Sequence, residues 1–356
     1  MPAAPMQALD VSFLGAICYV QAALHFEALG AVHLPPFGGS TLRGVLGRAF
    51  RSHLCRAVPR CVEECADRAG CEYYRLFERE QDPRGAAGAI PKPYILEPPA
   101  TLQMEHIAAG GAVEAPFIVI RDGSGMLPLL HNMAGIALED GEILTMRITL
   151  LGQTGALLPA IVELLGRTAL PVGGGKLRLA HVTDTAQGGC LWDAHLPGIP
   201  AQAAFQRTLR GALEQPGAAP GTIQISFLTP TRLRAGEHYC FDPERLAAHF
   251  WEAALARAVR IHDSFCRGDG GRLPYFELPG QRPRLVRHQL YQYVLERMSH
   301  RQRRFMDFDG VLGSIWLEGD FARLLPLARA AEVLHLGQKA TFGLGRVRVW
   351  TEVIAE

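Results

Sequence analysis

The stretch Leu336-Gly337-Gln338-Lys339-Ala340-Thr341-Phe342-Gly343-Leu344-Gly345-Arg346-Val347-Arg348-Val349-Trp350 decides the fold. Ahead of it, Phe321–Val333 carries the spacing of a helix. At its end, Arg346 and Arg348 fall on one face of a predicted strand while Val347 and Val349 fall on the other. The order is therefore helix, glycine-rich loop, basic strand. The first half of the chain repeats it, with a helix predicted over Ala156–Arg167, a Gly173-Gly174-Gly175 loop and a strand at Lys176–Thr183.

Working outward, each half fills in on the same plan. Cys18–Glu27 alternates apolar and polar residues, as a strand does. After Pro35-Pro36-Phe37-Gly38-Gly39, Ser40 can cap a helix whose Leu42, Val45, Leu46, Ala49, Phe50 and Leu54 form one apolar stripe. Strands are predicted at Pro116–Arg121 and Glu142–Leu151. In the second half Ile223, Ile225 and Phe227 alternate, and Asp242-Pro243 starts a helix striped by Leu246, Phe250, Ala254, Ala258, Ile261 and Phe265. Strands are predicted at Leu285–Arg297 and Val311–Glu318. The expected fold is α+β: two tandem ferredoxin-like βαββαβ domains. The first covers residues 1–200 with a cysteine-rich insertion at about 55–100, and the second covers 221–356. The boundary falls in the Pro-, Gly- and Ala-rich stretch 193–221.

A length of 356 residues favours two domains of roughly 150 each. With 48% hydrophobic and 20% charged residues, the chain has the profile of a soluble globular protein. No apolar run reaches the roughly 20 residues a membrane span needs. No Lys or Arg precedes Arg43, so the cationic start of a secretory signal is missing and a cytoplasmic location is expected. Net charge is only +1, yet eleven arginines face four acids between Arg257 and Arg304. A local field of that sign attracts polyanions; a plain solvated face is the competing reading.

In the glycine loop, exposed N–H groups can cradle phosphate oxygens, with Lys339 and Arg346 adding charge. A dinucleotide site fits poorly, because its glycines follow a strand and open a helix, the reverse of the order here. Cys55, Cys61, Cys65 and Cys71 are spaced C-x5-C-x3-C-x5-C, which can form a tetrahedral structural zinc site. Free thiols or disulfides are the alternatives.

Residues 336–346 also resemble the C-terminal signature of the CRISPR-associated endoribonucleases that process precursor CRISPR RNA, members of the RAMP superfamily. Leu34–Gly44, Phe227–Leu233, Ser299–Arg303 and Cys71–Glu78 resemble the same family. The resemblance runs from about Val20 to Val349. It implies a protein that binds CRISPR repeat RNA and cuts it without a catalytic metal, by attack of the ribose 2′-OH on the adjacent phosphate. A 2′,3′-cyclic phosphate and a 5′-OH would result. Other Cas proteins of an effector complex are the further partners it implies. The rival expectation is a RAMP subunit that binds CRISPR RNA without cutting it.

Histidine suits acid–base work near neutrality. In the resembled family the reactive group usually lies near the first helix, which singles out His33 and His53. His33 precedes that helix. His53 falls near Leu42 and Leu46 at about 100° per residue, which predicts a packed side chain. His25, on the polar face of the first strand with Tyr19, is a third choice. For RNA binding the candidates are Arg43, Arg297, Arg301, Arg303, Arg304, Gly337, Lys339, Gly343, Gly345 and Arg346. Arg297 to Arg304 are expected to surround a hairpin turn, since arginine offers planar contacts to phosphate and base edges.

Overall fold

The computed structural model describes residues 7–55, 65, 70–78, 90–99, 101–109, 111, 118–120, 127–131, 134–214, 220–267, 272–294, 296–299 and 304–351. Along the chain the main strands are β1 (Cys18–Leu29), β2 (Tyr94–Glu97), β3 (Ile118–Ile120), β4 (Leu129–His131), β5 (Ile143–Leu151), β6 (Gly175–Asp184) and β7 (Cys190–Asp193). They continue with β8 (Thr222–Thr231), β9 (Arg284–Tyr293), β10 (Glu296–Ser299), β11 (Arg304–Asp307), β12 (Gly310–Glu318) and β13 (Val347–Trp350). The helices are α1 (Gly39–Leu54), α2 (Leu102–Ala108), α3 (Leu158–Gly166), α4 (Pro243–Ile261) and α5 (Leu325–Leu334).

Alternation puts Val20, Ala22, Leu24, Phe26 and Ala28 of β1 on one buried face. Against them lie α1, through Leu42, Val45, Leu46 and Phe50, and α3, through Ile161, Val162 and Leu165. The second core repeats the design: Ile223, Ile225 and Phe227 of β8 meet the α4 stripe and the apolar side of α5. Asp242 caps α4 by accepting the Arg245 N–H at 2.8 Å, with Pro243 in the first turn.

The first sheet runs β7-β6-β1-β5-β2 and the second β13-β8-β12-β9-β4-β3. Within each, the four strands of the motif pair antiparallel in the same spatial order: fourth, first, third, second. Two ferredoxin-like units thus follow one plan.

Two elements differ from the sequence reading. The second strand of the first unit is Tyr94–Glu97, and the predicted strand around 116–121 supplies β3, which serves the other sheet. β3 pairs with β4, and β4 runs parallel to β9. The first half thereby extends the second sheet. Helix α2 crosses with it, and Met104 and Ile107 cluster with Phe37, Tyr293, Phe308, Leu312 and Leu344. The predicted strand 285–297 is divided into β9 and β10. β10 pairs antiparallel with β11 in a hairpin whose register sets Ser299 opposite Arg304. No helix among the described residues is long and apolar enough to cross a membrane.

Candidate nucleic-acid interface

The glycine loop of the second unit does not stand free. It packs against the start of α1 and against β2, so that it joins the two sheets. Gly343 has φ +87°, and a Cβ there would come within 2.4 Å of Pro98 Cδ and 2.6 Å of the Leu96 carbonyl oxygen. Gly39 at the start of α1 approaches as closely; its Cβ would lie 1.8 Å from the Phe342 carbonyl oxygen. Thr229 donates its hydroxyl to the Gly343 carbonyl at 2.8 Å and accepts the Arg346 N–H at 3.0 Å. Gly343 and Gly345 are buried, and Gly337 is half-buried. Glycine at 343 is required by protein packing, a signal that in sequence looks the same as a phosphate cradle.

A carboxylate sits at the centre of this junction. Glu97 of β2 is 4% exposed and faces Arg147 at 3.2 Å, Arg346 at 3.4 Å and His335 at 3.5 Å. Burial alone would raise its pKa, but the His335 imidazole and the two guanidinium groups outweigh that and hold it at about 2. His335 is fully buried, sits at φ +55°, and its Nδ1 is 3.1 Å from the Leu344 carbonyl oxygen. Burial lowers the pKa of Arg346 in turn, with Glu97 opposing. One anion therefore organises two arginines and one histidine. Neither Glu97 nor Arg147 was singled out from the sequence. The available signal was a lone acid closing the apolar run Tyr94-Ile95-Leu96.

Arg43 belongs to the same junction. Its Nε donates to the Tyr94 hydroxyl at 3.0 Å, and its guanidinium lies 4.7 Å from the Phe342 ring centroid. Burial pushes Tyr94 up to about 12, which keeps its phenol neutral. Lys339, at φ +61°, lies over the Phe308 ring at 4.2 Å. Arg348 is exposed between buried Val347 and Val349, as alternation predicts.

The histidines separate. His33 is exposed in the short strand 32–34, and its backbone N–H donates to the Gly173 carbonyl at 2.9 Å. His53 is exposed at the far end of α1, contrary to the packed side chain the periodicity predicts. Its Nδ1 is 2.9 Å from the Ala49 carbonyl oxygen. Arg51 and Ser52 are exposed with it, because the last turn of the helix overruns the apolar contact. At about 1.5 Å per residue the 16-residue helix separates its ends by more than 20 Å, which sets His53 away from the Gly39 end that meets the glycine loop. His33 lies ahead of α1 in the chain, beside the Gly173-Gly174-Gly175 loop of the first unit. His25 stacks on His181 at 4.0 Å, and burial, reinforced by His181, lowers its pKa. Tyr19 cannot assist His25: six residues along β1 separate the two by about 20 Å.

Arg297 and Arg304 lie on the two strands of the β10–β11 hairpin. Arg301 and Arg303 fall outside the described residues, as does Cys61. Cys55 follows α1, and Cys55 and Cys71 pack at the edge of the first core. Among the described residues no group of three His, Cys, Asp or Glu side chains is placed to hold a metal.

Residues 225–347 match the family model described as CRISPR-associated endoribonuclease Cas6, and residues 17–201 match a model described as an N-terminal domain, AF_1859_N. Among solved structures, a partial Cas6-RT-Cas1–Cas2 complex aligns with a TM-score of 0.51 at 12% identity, over 95% of this chain and 46% of that one. A Cas6 product complex aligns at 18% identity with a TM-score of 0.47, over 93% of this chain and 100% of that one. Thermus thermophilus Cas6 aligns at 17% identity with a TM-score of 0.46, over 93% and 99% of the two chains. None of the curated proteins matches the chain. The two family models lie in sequence over the two units of a duplicated fold, and the second unit is similar to the CRISPR-associated endoribonuclease Cas6 over residues 225–347.

Proposed function

We propose that the protein binds CRISPR repeat RNA at the junction of its two units and cleaves precursor CRISPR RNA without a catalytic metal. The observation that carries this reading is the convergence of the Cas6-matched glycine loop with the cations Arg43, Lys339 and Arg346 near the start of α1, a helix that exposed His33 shortly precedes in the chain. The ribose 2′-oxygen forms a bond to the adjacent phosphorus while the bond from phosphorus to the 5′-oxygen breaks. His33 takes the 2′-OH proton, and a second proton reaches the departing 5′-oxygen. The products are a 2′,3′-cyclic phosphate and a 5′-OH. A placed base contributes about 10²–10⁴-fold, and fixed cations stabilise the crowded phosphate. His53, at the other end of α1 beside Arg51, is the alternative base. Arg297, Arg301, Arg303 and Arg304 of the hairpin region grip the paired stem, whose A-form shape is read through phosphates.

Catalysis uses no cofactor in this reading. Mass spectrometry of the purified protein reads out the cysteines: one zinc per chain makes Cys55, Cys61, Cys65 and Cys71 a structural site, and none leaves them as thiols, the state in which Cys55, Cys65 and Cys71 stand in the structure. The protein works in the cytoplasm and partners other Cas proteins.

Purified protein is incubated with its repeat RNA in excess EDTA, and wild type is compared with His33→Ala and His53→Ala at saturating RNA. One cut leaving a cyclic phosphate is expected, slowed at least 100-fold in His33→Ala and little in His53→Ala. A shifted but uncut RNA would instead make the protein a non-catalytic RAMP subunit, and equal rates in all three proteins would remove both histidines from the reaction.

A further inference from the structure

The face of the second sheet opposite α4 and α5 is divided. At one end α2 covers it: Ser314 Oγ donates to the Ala108 carbonyl at 2.7 Å, and Gln289 Nε2 to the Gly111 carbonyl at 2.9 Å. The other end carries a row across four strands, in which Trp350 of β13 stands opposite Gln224 of β8, which stands opposite Trp316 of β12, opposite Arg287 of β9. Strand spacing sets the two tryptophans roughly 10 Å apart.

This row is built for planar, anionic company. Trp350 is 42% exposed, yet its orientation is fixed, since Nε1 donates to Ser226 Oγ at 3.2 Å. The Arg348 guanidinium lies 5.0 Å from the Trp350 ring; Arg287 lies 4.7 Å from Trp316, whose own ring is buried. Both arginines are exposed. The carboxylate in the neighbouring row, Glu318, is engaged with Arg284 at 2.5 Å. An exposed ring beside an arginine offers a base one stacking surface and its phosphate one cation, with no demand on base identity.

We infer that the Trp350–Arg348 end of this row is a stacking surface for unpaired nucleotides of the bound RNA, separate from the glycine-loop junction. It rests on the reading that the protein binds RNA, and it assigns to the second sheet the single-stranded segment that flanks the paired stem. Each stacked base is sensitive to loss of its ring but tolerant of another aromatic, so Trp350→Phe retains most of what Trp350→Ala loses.

The probe is a twelve-nucleotide oligouridine, which cannot pair. Full-length wild type, Trp350→Ala, Trp350→Phe and Arg348→Ala are titrated at low salt, with tryptophan fluorescence and probe anisotropy as readouts. Wild type is expected to bind with quenching of its fluorescence. Trp350→Ala weakens binding about tenfold, Arg348→Ala at least threefold, and Trp350→Phe less than threefold. Circular dichroism melts confirm that each variant folds. A loss below threefold in Trp350→Ala, or equal losses in the Ala and Phe variants, overturns the platform. Wild-type cleavage of repeat RNA is read in parallel. Cleavage without ring-dependent oligouridine binding sinks the platform alone, and ring-dependent binding without cleavage sinks the nuclease reading while the platform stands.

Discussion

Glu97 shows how one side chain can tie two halves together. Its carboxylate is out of water and is compensated from both units, by Arg147 on the first sheet and by Arg346 and His335 on the second. Removing one member of such a cluster leaves the others buried without their counter-charge. Glu97→Gln should therefore cost about 2 kcal/mol, a figure kept low because the Arg147 side chain is 41% exposed. The pH dependence has a definite sign. The folded-state pKa, about 2, lies below the ordinary glutamate value of 4.5, so the stabilisation is fully present above pH 4.5 and fades as pH falls toward 2. Urea unfolding of wild type and variant should show a gap at pH 6 that narrows by pH 3; a constant gap would deny Glu97 this role.

At the scale of elements, close approach explains the glycine loop. Valine at 343 would meet Pro98 and Leu96 while held at φ +87°, so Gly343→Val should destabilise by about 3 kcal/mol and separate the loop from β2. Thermal melts and hydrogen exchange at Tyr94–Glu97 report this, and an unchanged melting temperature would show that the loop yields freely. Much of this architecture is legible in the amino-acid order. The stripes of α1 and α4, the alternation of β1 and β13, and the two glycine loops are strong periodic signals. β2 is not, because all four of its residues are buried and it lies among prolines, so neither alternation nor length marks it. For the same reason Glu97 escaped notice as part of the site. β3 carries an ordinary strand signal, but nothing local records that its partners lie in the other unit. The exposure of His53 depends on where α1 outruns its contact, which helical spacing alone does not encode.

For the molecule as a whole, duplication does not mean independence. The second sheet takes β3, β4 and the cover of α2 from the first half, and its core includes Phe13, Leu14 and Ile17 from the start of the chain. A fragment spanning 221–356 would expose Leu312, Tyr293, Phe308 and Leu344, which α2 helps to bury. Expressed alone, it should bind a hydrophobic dye and melt without cooperativity, and co-expression with 1–220 should restore a sharp transition. A sharply melting isolated fragment would show that the exchanged elements are dispensable.

That exchange also sets a timetable on the ribosome. β4 is synthesised roughly 150 residues ahead of β9, the strand it must join. At about 5–20 residues per second the wait is on the order of ten seconds. Through that interval a nascent edge has no mate, so neighbouring chains on one messenger are exposed to mispairing, and a slower supply of ribosomes should raise the yield of correctly assembled protein.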